Sequence, residues 1–163
     1  MGLQLPGELV TILQDLGYNW PEADEEKLFD LGGVWMSFAG QLEPVAQSAS
    51  SAAEQVWNQN TGAAIDAFKA KWQADGSPGS SLEDSVTGSE LVGPLLMVAA
   101  GVVLALKINV IVQLVTLAIE IVQAIATAGP TFGASLLEIP VFKEITSRLV
   151  NLLISLAMEA ILG

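Results

Sequence analysis

The feature that most constrains the fold is an unbroken apolar repeat in the first half of the sequence. Apolar residues recur at alternating intervals of three and four positions: Leu28, Leu31, Trp35, Phe38, Leu42, Val45, Ala49, Ala52 and Val56. This spacing is typical of a coiled-coil seam along one face of an α-helix. Asp24, Glu25 and Glu26 precede it, and acidic residues favour a helix N-terminus. We therefore predict a long helix that packs against a partner helix.

A second apolar stretch follows at once and supplies a partner. Residues 57–62 are largely polar and interrupt the helix, and residues 63–72 resume it with Ile65, Phe68 and Trp72 on one face. A short polar break between two such helices predicts an antiparallel helical hairpin. Before the hairpin, Pro6 and Gly17 bracket a short N-terminal helix, since proline favours the first helical position and glycine the C-terminal cap.

The C-terminal half is far more apolar. Residues 91–128 are interrupted by few polar side chains: Lys107, Asn109, Gln113 and Glu120. Gly129-Pro130 ends this stretch, and a last helix is expected from Ser135 or Pro140 to Leu162. Ser135 and Glu138 have the spacing of a capping box. This last helix carries a second apolar seam, which consists of Phe142, Ile145, Leu149, Leu152 and Leu156.

These patterns predict an all-α fold. We expect one helical domain over residues 1–163, in which residues 1–75 form the short helix and the hairpin, residues 76–88 form a Gly- and Ser-rich loop, and residues 89–163 form an apolar helical pair. The pair is expected to pack on the hairpin as in a four-helix bundle, because helices that are apolar on most sides belong at a bundle centre.

Membrane insertion is the alternative for the apolar half. Residues 91–106 form an uncharged run of only 16 residues, whereas a bilayer span needs roughly 20. Extending the run includes Lys107, which costs about 2.5–3.5 kcal/mol at a membrane centre. In this alternative Lys107 and Glu120 are the candidate membrane-active residues. In a soluble bundle Glu120 is expected to face water or to pair with Lys107 or Arg148.

Composition argues against catalysis and against nucleic-acid binding. The chain has 18 acidic and 6 basic residues, a formal charge of −12, and neither cysteine nor histidine. Phosphate recognition needs clustered Lys and Arg, and the usual ligands of zinc and haem are missing. We predict no enzymatic activity, no metal and no cofactor. The first ten residues show no basic and apolar leader, so a cleaved signal peptide is not expected.

The break between the hairpin helices resembles the WXG-type hairpins of type VII secretion substrates. Trp57 and Gly62 match the Trp and Gly that mark the turn in that family, and Phe68 and Trp72 match the aromatic residues that hold its second helix. Leu5-Pro6-Gly7-Glu8-Leu9 and Asn19-Trp20-Pro21-Glu22 are similar to the WXG-like N-terminal domain of actinobacterial polymorphic toxins, including channel-forming necrotizing toxins.

The resemblance implies a non-enzymatic N-terminal delivery domain. It implies a protein made in the cytoplasm and carried to the cell envelope or beyond, a protein partner (secretion machinery or another WXG-type protein) and a fused or separate C-terminal toxin. Membrane insertion and an oligomerising adaptor are the alternatives. The chain departs from the family because four residues separate Trp57 from Gly62 instead of one. The family's export signal, a Tyr followed four residues later by an acid, is also missing behind the hairpin.

Overall fold

The computed structural model describes residues 2–162, and every regular element within them is helical. In chain order the elements are α1 (Gly7–Asp15), α2 (Glu25–Gln59), α3 (Ala63–Trp72), α4 (Pro78–Thr127), a 3-10 helix (Ala134–Glu138) and α5 (Ile139–Leu162). The predicted all-α fold is confirmed.

Local chemistry sets most of the helix ends where the sequence predicts them. Pro6 directly precedes α1, and Gly17 follows it with a left-handed φ of +86°. The side chain of Asp24 accepts a hydrogen bond of 3.2 Å from the backbone N–H of Lys27, which caps the start of α2. These positions suit proline, glycine and aspartate because each residue satisfies or removes a backbone group that the helix leaves unpaired.

The predicted loop over residues 76–88 is wrong, because α4 already begins at Pro78 and continues for 50 residues. Ser77 caps this helix: its Oγ accepts the Ser80 N–H at 3.1 Å and donates to the Trp72 carbonyl at 2.6 Å. Proline suits the first turn of a helix, where its missing N–H is not needed. A good cap followed by proline therefore outweighs the low helix propensity of the glycines and serines that follow.

The chain divides into two compact units. Unit 1 consists of Met1–Lys27 and Ala99–Gly163, and unit 2 consists of Leu28–Val98. Both boundaries fall inside long helices, within α2 and within α4. The predicted segments 1–75, 76–88 and 89–163 therefore do not match these units, while the expectation of one domain stays a prediction.

The core of unit 1 is built from large aliphatic side chains. Leu5 and Leu13 pack on Val110 and Leu114 of α4, and Leu114 is completely buried. Residues that pack around this cluster are Leu9, Val10, Ile12, Leu16, Tyr18, Trp20, Leu106, Ile111 and Leu153. Tyr18 also donates a 3.1 Å hydrogen bond to the Ser147 carbonyl of α5. The apolar side chains of α1 thus form one face, which unit 1 buries.

The core of unit 2 is built from small residues. Gly32, Ala39, Ala46 and Ala53 are all buried and lie at intervals of seven along α2. On α4, Gly93 is buried, and a Cβ atom at Gly32 would lie 2.7 Å from its carbonyl oxygen. Real side chains do not come that close to a backbone oxygen, so only glycine allows this approach. The two helix backbones are therefore almost in contact here.

The predicted seam of α2 is corrected by this packing. Leu31, Phe38 and Val45 are 45, 46 and 55% exposed, and the predicted members Ala52 and Val56 are exposed as well. The remaining predicted members are half-buried: Leu28, Trp35, Leu42 and Ala49. The buried row lies one position later along the helix than the exposed one. Small residues occupy it because large side chains do not fit between backbones that approach so closely.

The second predicted seam, on α5, shows a similar offset. Ile145, Leu149, Leu152 and Leu156 are exposed, while Thr146 and Val150 are buried. The predicted capping box is also wrong, since the Ser135 hydroxyl donates to the Ala124 carbonyl at 2.7 Å. On α5, as on α2, the buried residues lie one position after predicted ones, and Phe142 of the predicted seam is half-buried.

Candidate functional site

The hairpin turn is formed by the last turn of α2 and the first turn of α3. Trp57 lies inside α2, which ends at Gln59, so the break is shorter than predicted. Asn60 donates a side-chain hydrogen bond of 2.8 Å to the Val56 carbonyl. Gly62 precedes α3 with a φ of +126°, a conformation that side chains strongly disfavour. Gly62 thus takes the position at which the chain reverses.

Aromatic rings join the two arms of the hairpin. The ring centroids of Trp57 and Phe68 are 5.9 Å apart, and those of Phe68 and Trp72 are 6.1 Å apart. Lys69 places its ammonium group 5.7 Å from the centre of the Trp57 ring. The structure therefore brings together three of the four predicted hairpin residues and places the fourth, Gly62, at the turn.

An open apolar groove runs along unit 2 beside the predicted seam. Trp35, Phe38 and Leu42 form one wall, and α4 forms the other with Leu82, Ser85, Gly88, Ser89 and Val92. The groove has a volume of about 500 Å³. Leu31 and Val45 extend the exposed apolar row of α2. Exposed apolar patches of this kind mark interaction surfaces in helical proteins.

A buried ion pair lies in unit 1. Lys107 of α4 is 1% exposed and Glu25 is 6% exposed, and the Lys107 Nζ donates to Glu25 Oε2 at 2.8 Å. Lys107 also donates to the Ala23 carbonyl at 2.7 Å and lies 5.8 Å from the Trp20 ring centre. The backbone N–H of Leu3 donates to the other oxygen of Glu25. The N-terminal segment thus encloses the ammonium group of Lys107.

The electrostatics of this pair favour its charged form. Burial acts to raise the pKa of Glu25, but the hydrogen bonds from the Leu3 N–H and from Lys107 outweigh it and hold the pKa below its ordinary value. The pKa of the neighbouring Asp24 is also lowered, mainly because its carboxylate accepts the Lys27 N–H. Glu25 therefore stays ionised in mildly acidic solution.

The pairing expected for Glu120 is corrected. Lys107 pairs with Glu25, and Arg148 pairs with Glu144 on its own helix at 2.6 Å. Within residues 2–162 neither cation forms an ion pair with Glu120, which is half-buried on α4. Sequence reasoning missed the true pair because its partners are 82 positions apart and share no local pattern.

Two helical segments meet the length and composition of a bilayer span: Pro78–Thr127, and Ala134–Leu162. Their most apolar windows are only 22% and 17% buried within the structure. Seven exposed aliphatic side chains line the unit 1 part of α4: Leu104, Ile108, Val112, Val115, Ile119, Val122 and Ile125. The apolar half of the chain therefore presents much of its hydrophobic surface outward.

These observations describe an all-helical chain with a large exposed apolar surface. The profile of the WXG100-like domain family matches residues 4–149, which is most of the chain, and the chain belongs to that family. Its members are secretion-related helical proteins that generally work with protein partners or form dimers. No curated protein and no solved structure matches the chain.

A repeat of small residues in the sequence indicates the core of unit 2, although the pattern of large apolar residues does not. Gly32, Ala39, Ala46 and Ala53 recur every seven positions, which is visible without a structure. Small residues at heptad spacing indicate helices that approach closely. Trp20 and Glu25, by contrast, gain their place beside Lys107 only through tertiary packing.

Proposed function

We propose that this chain is the non-enzymatic delivery domain of a polymorphic toxin, made in the cytoplasm and carried to the cell envelope or beyond. It presents a helical surface to the secretion machinery or to another WXG-type protein. Membership of the WXG100-like family supports the secretion role. The likeness of Leu5-Pro6-Gly7-Glu8-Leu9 to toxin N-terminal domains supports the link to a toxin fused or bound at the C-terminal side.

The single observation that carries the proposal is the apolar row Leu31, Phe38 and Val45 on unit 2. Phe38 lines the apolar groove, and the α4 wall of this groove includes Ser85, Gly88 and Ser89, which are small enough to admit the side chains of another helix. An amphipathic helix that lays its apolar face in such a groove would cover surface that is otherwise exposed to water. A helical hairpin of a WXG-type partner has this shape.

The test is export of a reporter fused to the chain in a bacterium with a type VII secretion system. Phe38→Glu with Val45→Glu places two charges on the apolar row and should abolish both partner capture and export. The matched control is Gln47→Glu with Thr87→Glu, which adds the same charge at a different groove of unit 2, one that Glu43 and Glu83 also line. Equal export of both variants, each folded by circular dichroism, would refute the proposal.

Membrane insertion is the second candidate, and the turn between α4 and α5 favours it. Phe132 lies at this turn, 99% exposed and with a left-handed φ of +52°. A large aromatic residue rarely adopts this conformation, and the exposure of Phe132 leaves its ring almost unpacked within residues 2–162. Leu137 is also strongly exposed nearby. An apolar turn between two long apolar helices is a suitable leading edge for entering a bilayer.

Vesicle leakage tests this second candidate. The chain is added to vesicles of phosphatidylcholine and phosphatidylglycerol over a range of pH, and leakage is expected to increase as the pH falls, because a protonated carboxyl group costs less to insert into a bilayer than a carboxylate. Phe132→Ser should weaken leakage strongly, whereas Thr131→Ser at the same turn should not. Absence of leakage from pH 7 down to about 4.5, near the ordinary carboxyl pKa, would remove membrane insertion as a function.

A further inference from the structure

Unit 2 contains a second cleft, separate from the apolar groove and of different chemistry. It lies at the open end of the hairpin and has a volume of about 320 Å³. Two indole rings, Trp57 and Trp72, and two carboxylates, Glu54 and Glu83, contribute to its lining. Three helices supply these side chains: α2 supplies Glu54 and Trp57, α3 ends with Trp72, and α4 supplies Glu83.

The aromatic part of the cleft is held rigidly. Trp72 lies against the backbone of Gly79, since a Cβ atom there would be 2.8 Å from the indole Nε1. The Ser77 hydroxyl donates to the Trp72 carbonyl at 2.6 Å, which fixes the start of α4 to the end of α3. Phe68 lies between the two indoles, with centroid distances of 5.9 and 6.1 Å. The rings therefore lose little conformational freedom when a ligand binds.

The electrostatic character of the cleft favours a cation. Glu54 and Glu83 each bring a negative charge to the cleft. The carbonyl end of α3 and the N-terminal turn of α4 also line it, and their partial charges have opposite signs, so the two carboxylates set the sign of the cleft. Indole faces attract ammonium and guanidinium groups through their quadrupole. Acidic side chains that accompany aromatic rings are the chemistry by which proteins bind organic cations.

We propose that this cleft binds an organic cation on an apolar stem, such as the guanidinium of an arginine or the ammonium of a lysine. The cation lies against the indoles of Trp57 and Trp72 and is neutralised by Glu54 and Glu83. The inference goes beyond the proposed delivery function, because the cleft lies outside the apolar groove assigned to a helical partner. A basic segment of a partner protein and a free polyamine offer the same chemistry.

The chain already shows such a contact with one of its own cations. Lys69 is exposed and holds its ammonium group 5.7 Å from the centre of the Trp57 ring. Lys69 does not line the cleft, but its ammonium group places a positive charge on a ring that an incoming cation would contact. Its removal should therefore strengthen ligand binding.

The test is a titration of the folded chain with acetyl-tetraarginine amide, followed by calorimetry and by the indole N–H signals in NMR spectra. The four indole signals, one for each tryptophan, are assigned with single Trp→Phe variants. Acetyl-tetraglutamine amide serves as the uncharged control, and spermidine tests the free polyamine. We expect arginine peptide binding that moves the Trp57 and Trp72 signals and leaves the Trp20 signal in place.

Two charge-matched double variants distinguish binding at this cleft from non-specific attraction of a cation to an acidic protein. Glu54→Gln with Glu83→Gln should weaken binding at least about tenfold, while Glu43→Gln with Glu90→Gln, which removes the same charge elsewhere in unit 2, should weaken it less than about twofold. Lys69→Ala should strengthen binding. Equal weakening by the two double variants, or no movement of the Trp57 and Trp72 signals, would overturn the inference. Binding of spermidine alone would assign the cleft to a free polyamine.

Discussion

The two units of this protein differ in the size of the side chains that form their cores. Unit 1 packs large aliphatic residues such as Leu13, Leu114 and Leu117 around α4 and buries an ion pair among them. Unit 2 packs Gly32 and the buried alanines of α2 at close helix–helix distance and leaves its large apolar side chains at the surface. The amount of hydrophobic sequence is therefore a poor guide to what each unit buries.

The difference follows from how closely the helices approach. Where backbones nearly touch, as at Gly32 and Gly93, contact area comes from the main chain and from small side chains. In unit 1, where leucine and valine side chains separate the helices, these side chains supply the contact area. The wider spacing also leaves room for the aliphatic stem of Lys107. The core of unit 2 therefore leaves large apolar side chains at the surface, where a partner could contact them. The core of unit 1 instead depends on the buried pairing of Lys107 with Glu25.

The largest effect is expected when the ion pair of unit 1 is broken. Lys107→Met leaves Glu25 buried without its cation and should lower the free energy of unfolding by about 3–5 kcal/mol. Urea denaturation followed by circular dichroism measures it. The double variant Lys107→Met with Glu25→Gln should recover much of the loss, because no buried charge remains unpaired.

The control for this prediction is an exposed ion pair in the same unit. Lys143 lies 3.6 Å from Asp15, with both side chains substantially exposed. Lys143→Met should change the unfolding free energy by less than about 1 kcal/mol. A similar loss in both lysine variants would show that burial of the Lys107 pair does not govern the stability of unit 1.

Smaller effects on stability are expected at two adjacent glycines of unit 2, and the two substitutions should act in opposite directions. Gly32→Ala forces a Cβ atom toward the Gly93 carbonyl and should destabilise the chain by about 1–3 kcal/mol. At Gly33 an added Cβ atom would meet no atom within 4 Å beyond the backbone of its own helix turn and its chain neighbours, so Gly33→Ala should stabilise the helix by about 0.5–1 kcal/mol. Thermal unfolding of the two variants measures the difference. Two variants with the same sign would refute the close backbone approach.

The sequence predicts those features that local chemistry decides. Pro6 with Gly17 defines α1, Gly62 defines the start of α3, and Gly129-Pro130 marks the end of α4 within a few residues. Each of these residues acts through its own backbone, so no distant contact is needed. The fold class and most helix ends are therefore predictable from the sequence alone.

Features that tertiary contacts decide were predicted less well. The face of α2 that is buried depends on Gly93, which lies 61 positions after Gly32, and a search for large apolar residues selects Leu31 and Phe38 instead. The partner of Lys107 depends on how the N-terminal segment crosses α4. Of the hairpin residues, the resemblance identified Trp57, Phe68 and Trp72, but it gave no indication of the carboxylates beside them.

The folding stability of unit 1 should also depend on pH through Glu25. Because the pKa of Glu25 lies below its ordinary value of 4.5, its ionised form stabilises the folded state above that pH, and this contribution is lost as the pH falls through the lowered pKa. Stability should therefore decline below about pH 4.5, and Glu25→Gln should make that decline shallower. Part of the slope should remain, since Asp24 also has a lowered pKa. Denaturation midpoints between pH 7 and 3 measure it, with Gly33→Ala as the variant whose slope should match the wild type.

The smallest effect on stability is expected on the exposed apolar row of unit 2. Phe38→Glu should change the unfolding free energy by less than about 0.5 kcal/mol, because nearly half of the side chain already faces water. Ala39→Glu, one position later, forces a charge into the buried row and should destabilise by several kcal/mol. If Phe38→Glu proved the more damaging of the two, the large apolar side chains would belong to the unit 2 core after all. They would then be unavailable to a partner, and the comparison between the two units would fail together with the proposed docking groove.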